Sequence, residues 1–567
     1  MKSLSNSKPN AKVVPLTHLQ DREGRIQSKE THRSRRAAVI GGGPSGIQAA
    51  GQLMKRNFQV TVFERHGQLG GMWCYEKNDH LSQPSSFQGV KPFLPLEVSP
   101  LYKDMRTNIT FQAMGIDGFP VPRPEELRFV HRSEILDYLS AYVRHLNQEY
   151  PDLAEYRLHS NIESVVYDDG WSVTSRESGN VVNEEFDVVV VATGAFHKPL
   201  VTNLHDPEYK GIHFHSLYYD DPSVLDNRVV LVVGSGNSAK DIFWDAMERA
   251  KHVVLASPTE QDRNNVVLPE DYPKVQEGFT SVGRLKRIRK DGTVIHTNWQ
   301  GIDEVLGGIG VDMIVYCTGY RREFPFLPEE LQPISTASDG NEVTNCFMYT
   351  AQKDHPNSLF FFHPSKARTT INSMARDTQA QARLMASLAA REVFTIEQLE
   401  RLDETLQDWL DILYMEWTKE LLTSCECFVQ NSLFMNYLYS VADHADELSK
   451  KENIGSGVMG FVQSRMKDRD YRKQNTIWHA GLELRQRADA VNWNLFRSLR
   501  GTLTEGPNVD GGEFYAVTWI LEDGAKFGTY REYDIKYDDL ILNSKPSGAS
   551  APLNRLLDRW SRPANTL

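Results

Sequence analysis

Short apolar runs followed by amphipathic stretches recur along the chain, and this alternation predicts parallel strands joined by helices. The run AAVI at 37–40 precedes a stretch at 47–55 whose apolar residues have helical spacing, and a second apolar run follows at 59–63. The same order returns near 229–256, where RVVLVV leads into the helical stretch NSAKDIFWDAM and then into HVVLAS. The pattern predicts an α/β fold with two Rossmann-like dinucleotide-binding domains.

The turn after the first strand has the spacing of a dinucleotide-binding fingerprint, GxGxxG. The first glycine permits a tight turn, the second lets a pyrophosphate approach the backbone, and the third allows the helix to pack closely on the strand. The helix N-terminus would then face the phosphates, and the acid that ends the second strand would receive the ribose hydroxyls. The residues predicted to hold this nucleotide are Gly41, Gly43, Pro44, Ser45, Gly46 and Glu64.

The second glycine-rich turn is the GxGxxA variant, and each of the two turns has a companion strand that ends in Thr-Gly. These strands are VVVATG and IVYCTG, and their ends should lie at the carboxyl edge of a parallel sheet, where nucleotides bind. Two turns of this kind predict two dinucleotides. The residues predicted to contact them here are Thr193, Gly194, Gly234, Gly236, Asn237, Ser238, Ala239, Asp241, Thr318 and Gly319.

Length, charge and cysteine content narrow the functional classes. A chain of 567 residues predicts several domains, and a net charge of -12 disfavours a nucleic acid or an anionic membrane surface as the main partner. The five cysteines are scattered, which favours a reducing, cytoplasmic setting over a disulfide framework. No apolar run has the length of a transmembrane helix, and residues 1–36 are polar enough to predict a disordered leader.

The stretch YKGIHFHSLYYDD places two histidines on one face of a predicted strand, between the two glycine-rich turns. A metal site would need a third ligand, and no cysteine or HExxH motif is close, so no metal is predicted. The stretch resembles the identifying motif FxGxxxHxxxY of the flavin-containing monooxygenases, the class B flavoprotein group, through Tyr209, Gly211, His215 and Tyr219. In that family the motif marks the linker between the FAD and NADPH domains. The resemblance therefore implies that His215 hydrogen-bonds across the domain junction and that His213 is incidental.

The resemblance extends over roughly 37–400. A GGxW extension follows the first glycine-rich turn, and a Thr-Asn pair precedes a Phe-Pro-rich loop. The segments CTGYRREFPFL and ARDTQAQARLMASLA resemble later segments of the family. It implies that Asn108 lies beside the reactive edge of the flavin. The further cofactor-binding residues that it implies are Gly71, Met72, Trp73, Thr107, Asn108 and His215.

The resemblance implies a monooxygenase in which NAD(P)H reduces FAD, and the flavin then takes up O2 as a C4a-hydroperoxide. Asn108 would be the catalytic residue, because a neutral amide can hold a peroxide without exchanging protons. The motif ends in Tyr219, which favours oxygenation of a nucleophilic nitrogen or sulfur in a small molecule. Baeyer–Villiger oxygenation, carbon hydroxylation in a biosynthetic pathway, a flavin reductase without oxygenated product and a non-catalytic binding protein remain alternatives.

The preferred nicotinamide nucleotide is less determined than the flavin. Pro258 stands where the family often has an arginine that binds the 2′-phosphate, although Lys251 or Arg263 could replace it. NADPH is therefore predicted, with NADH as an alternative.

The predicted organisation has five segments: a leader at 1–36, an FAD-binding domain at 37–208 and 321–395, an NAD(P)H-binding domain at 209–320, a helical segment at 396–480 and a β-rich segment at 481–567. In the last of these, strands at 513–521 and 529–537 are predicted to form a hairpin around a turn at 522–524. The hairpin could complete a larger sheet or contribute the surface of a homodimer.

Overall fold

A computed structural model describes most of the chain from residue 34 to residue 531. The described residues are 34–75, 99–124, 126–200, 204–264, 266–267, 278–333, 345–362, 376–390, 394–404, 406, 438–439, 441–442, 499–507, 513–520, 524 and 526–531. The leader predicted at 1–36 lies almost entirely outside them, as does most of the helical segment predicted at 396–480, of which residues 396–404 are helical.

Helices and strands alternate through the first two thirds of the described chain. The α-helices are α1 (Pro44–Met54), α2 (Arg132–Glu149), α3 (Asn237–Arg249), α4 (Glu260–Asn264) and α5 (Arg376–Ala390). Short 3-10 helices lie at Gly71–Trp73, Phe111–Met114, Ser216–Tyr218, Pro222–Leu225 and Glu329–Leu331. The strands are β1 (Arg36–Ile40), β2 (Gln59–Phe63), β3 (Leu127–Arg128), β4 (Ala154–Arg157), β5 (Ser160–Tyr167), β6 (Trp171–Glu177), β7 (Asn180–Phe186), β8 (Val188–Val191), β9 (Lys198–Pro199), β10 (Ile212–His215), β11 (Val229–Val233), β12 (His252–Ala256), β13 (Phe279–Val282), β14 (Arg284–Ile288), β15 (Thr293–Thr297), β16 (Asp303–Gly310), β17 (Met313–Tyr316), β18 (Tyr320–Arg321), β19 (Cys346–Phe347), β20 (Ala351–Gln352), β21 (Leu359–Phe361), β22 (Arg500–Pro507), β23 (Glu513–Ile520) and β24 (Lys526–Arg531).

The first glycine-rich turn belongs to a seven-stranded sheet with the order β19-β20-β21-β8-β1-β2-β4. Its centre is parallel, since β1 pairs with β2 on one side and with β8 on the other. Helices α1, α2 and α5 contribute to the apolar core on one face, and the antiparallel sheet β5-β6-β7 covers the other face. Strands covered on both faces are apolar throughout, which explains the continuous run of valines in β8.

The second glycine-rich turn belongs to a five-stranded parallel sheet with the order β10-β17-β11-β12-β13. Helix α3 packs on one face of it, and the antiparallel sheet β14-β15-β16 packs on the other. The two units therefore have the same three-layer plan, which confirms the predicted α/β class with two Rossmann-like units. The chain passes between the units through β9 and β18, which pair antiparallel.

The hairpin predicted near the C-terminus forms from β23 and β24, and β22 extends it. Strand β24 begins at Lys526 rather than at the predicted residue 529, because pairing resumes directly after the turn at Gly524. Strand β3 pairs with β22 and completes a four-stranded sheet, so the segment is joined to the region predicted to bind FAD. A role in a homodimer stays a prediction.

The first helix also begins earlier than predicted. Helix α1 starts at Pro44 rather than at residue 47, because proline suits the first helical position and Gly43 precedes it with extended backbone. The glycine-rich turn is therefore shorter than the sequence pattern suggested, and Gly46 lies inside the helix. Among the described residues, no helix is long and apolar enough to cross a membrane.

Candidate functional site

The first and third glycines of the first turn are required by the packing of the protein itself. Gly41 has a φ of +109°, and a Cβ there would lie 2.4 Å from the carbonyl oxygen of Ala192. A Cβ at Gly46 would lie 1.8 Å from the carbonyl oxygen of Gly41. No side chain fits at either position, so both glycines would be needed even if the turn bound nothing.

The second glycine of the turn is different. Gly43 has φ −79° and ψ −175°, a conformation open to any residue. Among the described residues, a Cβ there would come near only to Gly71, whose Cα atom would lie at 3.5 Å, an ordinary contact distance. Because no described residue requires glycine at 43, the missing side chain fits a ligand that approaches the backbone at this point.

Glu64 follows β2 and is buried against the same turn. Its Oε2 accepts a hydrogen bond from the Gly42 amide at 2.7 Å, and its Oε1 accepts one from the His66 amide at 2.9 Å. A carboxylate oxygen can accept more than one hydrogen bond, so both oxygens can still receive ribose hydroxyls. The hydrogen bonds that orient Glu64 against the turn therefore leave it able to bind a ribose, as its position in the sequence predicts.

The GGxW extension closes over the glycine-rich turn. Gly71 has a φ of +56°, and a Cβ there would lie 2.7 Å from the Cα of Gly43. Met72 and Trp73 follow in the same short helix, and the indole Nε1 of Trp73 is buried with no hydrogen-bond partner among the described residues. The predicted residues Gly43 and Gly71 thus form a close pair of glycines.

The Thr-Gly end of β8 lies beside the first glycine. A Cβ on Gly41 would be 3.3 Å from the Cα of Thr193, and the hydroxyl of Thr193 is buried without a hydrogen-bond partner in the described part of the chain. Gly194 is exposed and has a φ of +76°. A buried hydroxyl without a partner is costly unless a ligand supplies one, which fits a nucleotide at this edge.

The N-termini of α1 and α3 are open, in contrast to that of α2. Gly43 and Gly236 precede α1 and α3, no described side chain caps either helix, and neither first turn contains an acid. Helix α2 has a capping box formed by His131 and Glu134. Uncapped amides at a helix start attract anions, so α1 and α3 suit the two pyrophosphates. Pro44 and Ser45 stand at the start of α1, and Asn237 and Ser238 at the start of α3.

The second turn repeats the geometry of the first. Gly234 has a φ of +128°, and a Cβ there would lie 2.4 Å from the carbonyl oxygen of Cys317. The distance is the same as that from a Cβ at Gly41 to the carbonyl oxygen of Ala192. Gly236 has φ −80° and ψ −174°, and a Cβ there would meet nothing within 4 Å. Ala239 is buried at the position of Gly46. The space at Gly236 again has no explanation within the described protein, which fits a second dinucleotide.

His215 connects the linker to the Thr-Gly end of β17. Its Nε2 lies 2.9 Å from the carbonyl oxygen of Gly319, and its Nδ1 accepts a hydrogen bond from the Leu217 amide at 3.1 Å. Thr318 donates its hydroxyl hydrogen bond to the carbonyl of Leu200. These bonds hold the strand end at the point where the chain crosses between the units. Contact of Thr318, Gly319 or His215 with a cofactor stays a prediction.

Burial lowers the pKa of His215 to about 4, despite the bond to Gly319. The neutral ring is favoured in the folded state, so its stabilising effect is complete above the ordinary pKa of 6.5 and is lost as the pH falls towards 4. We expect His215 to account for roughly 3 kcal/mol of lost unfolding free energy over this range. Urea unfolding of wild type and His215→Gln across these pH values measures it. Equal losses in the two proteins would contradict the assignment.

The other residues of the linker motif are also structural. Tyr209 donates to the carbonyl of Val311 at 3.0 Å, and Tyr219 is buried and donates to Asp245 Oδ2 at 2.6 Å. Burial and the Asp245 carboxylate raise the pKa of Tyr219 well above its ordinary value. Tyr219 therefore fastens α3 and is too enclosed to contact a substrate.

His213 packs against His205, with ring centroids 4.0 Å apart and the ring planes tilted by 39°. In the described part of the chain, no group of three or more His, Cys, Asp or Glu residues could hold a metal ion.

The two units are joined by tyrosine–aspartate contacts that the sequence did not predict. Tyr102 donates to Asp241 of α3, and Tyr75 lies 2.8 Å from Asp220 Oδ1. Asp241 was predicted to bind cofactor, and the structure shows its carboxylate engaged by Tyr102. Partners more than a hundred residues apart leave no signal in sequence spacing.

The Thr-Asn pair lies in the segment that follows Tyr102. Thr107 is buried; its amide donates to the Val130 carbonyl at 2.8 Å, and its hydroxyl accepts from the Val130 amide at 3.0 Å. Asn108 is half-buried, and its side chain makes no hydrogen bond with any described residue. No hydrogen bond among the described residues connects Asn108 to either glycine-rich turn, so its predicted place beside the flavin stays a prediction.

Comparison with known proteins gives a consistent result. Residues 34–275 match the family model described as flavin-binding monooxygenase-like. The chain is 30% identical over 306 residues to the flavin-containing monooxygenase FMO GS-OX3 of Arabidopsis thaliana, an alignment that spans 52% of this chain and 62% of the relative.

Two solved structures share the fold. S-allyl-L-cysteine S-oxygenase from Allium sativum has a TM-score of 0.54 at 22% identity, and the match covers 81% of this chain and 99% of that one. Tmm from Pelagibacter sp. strain HTCC7211 has a TM-score of 0.57 at 14% identity, covering 84% and 95%. The chain thus shares the fold of these two proteins, and its residues 34–275 are similar to the flavin-binding monooxygenase-like family.

Proposed function

We propose that this protein is an FAD- and NAD(P)H-dependent monooxygenase that transfers one oxygen atom from O2 to a nucleophilic nitrogen or sulfur of a small molecule. FAD and NADPH are the cofactors that the family implies. The observation that carries the proposal is the pair of glycine-rich turns. Each has a second glycine that the described protein does not need and an uncapped helix behind it.

The first turn supports an assignment to the flavin. The amides at the start of α1 would bind the pyrophosphate, and Glu64 would accept the ribose hydroxyls. The Thr193 hydroxyl, which has no partner among the described residues, would donate or accept a hydrogen bond at the sheet edge. When bound, the flavin supplies the activation of O2, and the protein contributes orientation and exclusion of water. The second turn would hold the nicotinamide nucleotide in the same way.

Asn108 supports nitrogen or sulfur as the oxygenated atom. Amines and sulfides are electron-rich and attack an electrophilic oxygen, which must keep its proton, whereas a ketone requires a deprotonated attacking oxygen. A neutral amide donor suits the first case, because it holds an oxygen without removing a proton from it. With no described hydrogen-bond partner, the Asn108 amide is available for that task.

Substrate-dependent consumption of NADPH and NADH tests the proposed reaction class. We expect members of a panel of amines and sulfides to accelerate consumption and to yield N- or S-oxides, while cyclic ketones have little effect. Lactones formed from ketones, with no oxidised amine or sulfide, would instead establish the Baeyer–Villiger alternative.

Replacing Asn108 with alanine should separate flavin binding from productive oxygenation. We expect the Asn108→Ala protein to retain its flavin colour but to form about tenfold less product per nicotinamide nucleotide oxidised, the effect of losing one oriented hydrogen bond. The missing product should be recovered as hydrogen peroxide, and the exposed residue change Asn161→Ala on β5 is the control. If Asn108→Ala formed as much product per nicotinamide nucleotide oxidised as wild type, Asn108 would not belong to the site.

A further inference from the structure

Both glycine-rich turns have a carboxylate against their middle residue, but the two carboxylates come from different places in the sequence. In the first turn the middle residue is Gly42, and its amide donates to Glu64 at 2.7 Å. Glu64 directly follows β2, and its amide donates a hydrogen bond to the carbonyl oxygen of Arg157. In the second unit the residue that directly follows β12 is Ser257. Its amide donates a hydrogen bond to the carbonyl oxygen of Val282, so Ser257 occupies the position that corresponds to Glu64. A comparison by position therefore finds no acid in the second turn.

The structure supplies the acid from α4. Asp262 Oδ1 accepts a hydrogen bond from the hydroxyl of Ser235, the middle residue of the second turn, at 3.1 Å. Asp262 Oδ2 accepts one from Thr259 at 2.7 Å, and the Asp262 amide donates to the Thr259 hydroxyl at 3.0 Å. The carboxylate is thus fixed against the turn, and each oxygen can still accept a further hydrogen bond.

The two described cations that could replace the missing arginine at a 2′-phosphate are Arg263, which is engaged, and Lys251, which is distant. Arg263 is 2.9 Å from Glu260 Oε1, and its guanidinium lies 4.6 Å from the ring centroid of Trp299. Lys251 precedes β12 and is therefore at the opposite end of that strand from the turn. Pro258 carries no charge. Of the two replacements considered for the missing arginine, Lys251 is misplaced and Arg263 already has an acidic partner.

A second observation points to a hydroxyl-bearing ligand at this place. Ser257 is fully buried, and its hydroxyl has no hydrogen-bond partner among the described residues, at the position that Glu64 occupies in the first turn. A buried hydroxyl of this kind calls for a polar partner from outside the described residues, and a ligand hydroxyl would supply one.

We propose that Asp262 is a specificity-determining residue that accepts the 2′-hydroxyl of the adenosine ribose, so that the second turn binds NADH at least as tightly as NADPH. An acid that contacts the ribose 2′-hydroxyl is the feature of NAD-binding Rossmann units, while a 2′-phosphate needs a positive neighbour. That phosphate would carry a charge of about −1.5 to −2 next to the carboxylate and would be repelled. The inference rests on the proposed function only in assigning this turn to the nicotinamide nucleotide.

Calorimetric titration of the flavin-loaded protein with ADP-ribose and with 2′-phospho-ADP-ribose tests this without any redox turnover. We expect wild type to bind ADP-ribose at least as tightly as the phosphorylated form. In Asp262→Asn the preference should move towards 2′-phospho-ADP-ribose by about tenfold, and the shift should shrink as salt screens the charge.

Asp303→Asn is the matched control, because it removes the same charge from an exposed position of the same unit, where Asp303 pairs with Lys286. The control should leave the preference unchanged. Tighter binding of 2′-phospho-ADP-ribose by wild type, unaltered in Asp262→Asn, would overturn the role of Asp262. Failure of both ligands to bind would overturn the assignment of the second turn itself.

Discussion

Replacing Gly43 with valine is expected to give a folded protein that purifies without flavin. The backbone at 43 is extended, and a Cβ there would make only ordinary contact with Gly71, so the fold should accept the side chain. A ligand that must approach this backbone would meet the new methyl groups instead, and flavin affinity should fall at least about a hundredfold. Flavin content per protein, measured with circular dichroism as the check on folding, gives the result.

Gly307→Val is the control for Gly43→Val. Gly307 lies exposed in β16, and a Cβ there would have no described atom within 4 Å, so this valine should change neither folding nor flavin content. A Gly43→Val protein that retained its full flavin content would show that the first turn does not bind it.

Alanine at Gly46 should have the opposite effect, loss of the fold before loss of ligand. The added Cβ would lie only 1.8 Å from the carbonyl oxygen of Gly41. That oxygen and the Cα of residue 46 belong to backbone that strand pairing and helix α1 hold in place. Alanine otherwise favours helices over glycine by about 1 kcal/mol, so the helix itself would gain from the change. We expect a net loss of at least about 3 kcal/mol of unfolding free energy, or no soluble protein.

The second unit provides the comparison for Gly46→Ala. Ala239 is already buried at the equivalent position, so Ala239→Gly should cost only about 1 kcal/mol, through helix propensity and a lost methyl group. Denaturant unfolding measures both variants. A Gly46→Ala protein as stable as wild type would mean that the close approach of α1 to the turn is not fixed.

Local features of this site could be predicted from the sequence because their causes are local. Gly41 and Gly46 are needed by backbone atoms a few residues away or on a neighbouring strand, and Glu64 follows its strand directly. The buried strands β1, β8, β11 and β17 could be recognised as continuous apolar runs. The antiparallel sheets β5-β6-β7 and β14-β15-β16 were not predicted, since their half-exposed strands mix polar and apolar residues without a regular period.

The contacts that depend on tertiary structure could not be predicted. Tyr102 reaches Asp241 across the two units, and Asp262 takes the place of an acid that the sequence pattern would have put at Ser257. The role given to Tyr219 also changes with the structure. Its hydroxyl donates a hydrogen bond to Asp245, so this side chain supports the packing of α3 and does not by itself select the atom that is oxygenated.

The transfer of an oxygen atom from O2 to substrate is the central claim, and isotope labelling tests it most directly. The purified protein is supplied with FAD, NADPH or NADH, a sulfide or amine that stimulates consumption, and O2 enriched in a heavy oxygen isotope. We predict one labelled oxygen atom per molecule of oxidised product, detected by mass spectrometry, with none derived from labelled water. Consumption of the nicotinamide nucleotide and release of hydrogen peroxide, without labelled product from any amine, sulfide or ketone, would contradict the account and identify a flavin reductase.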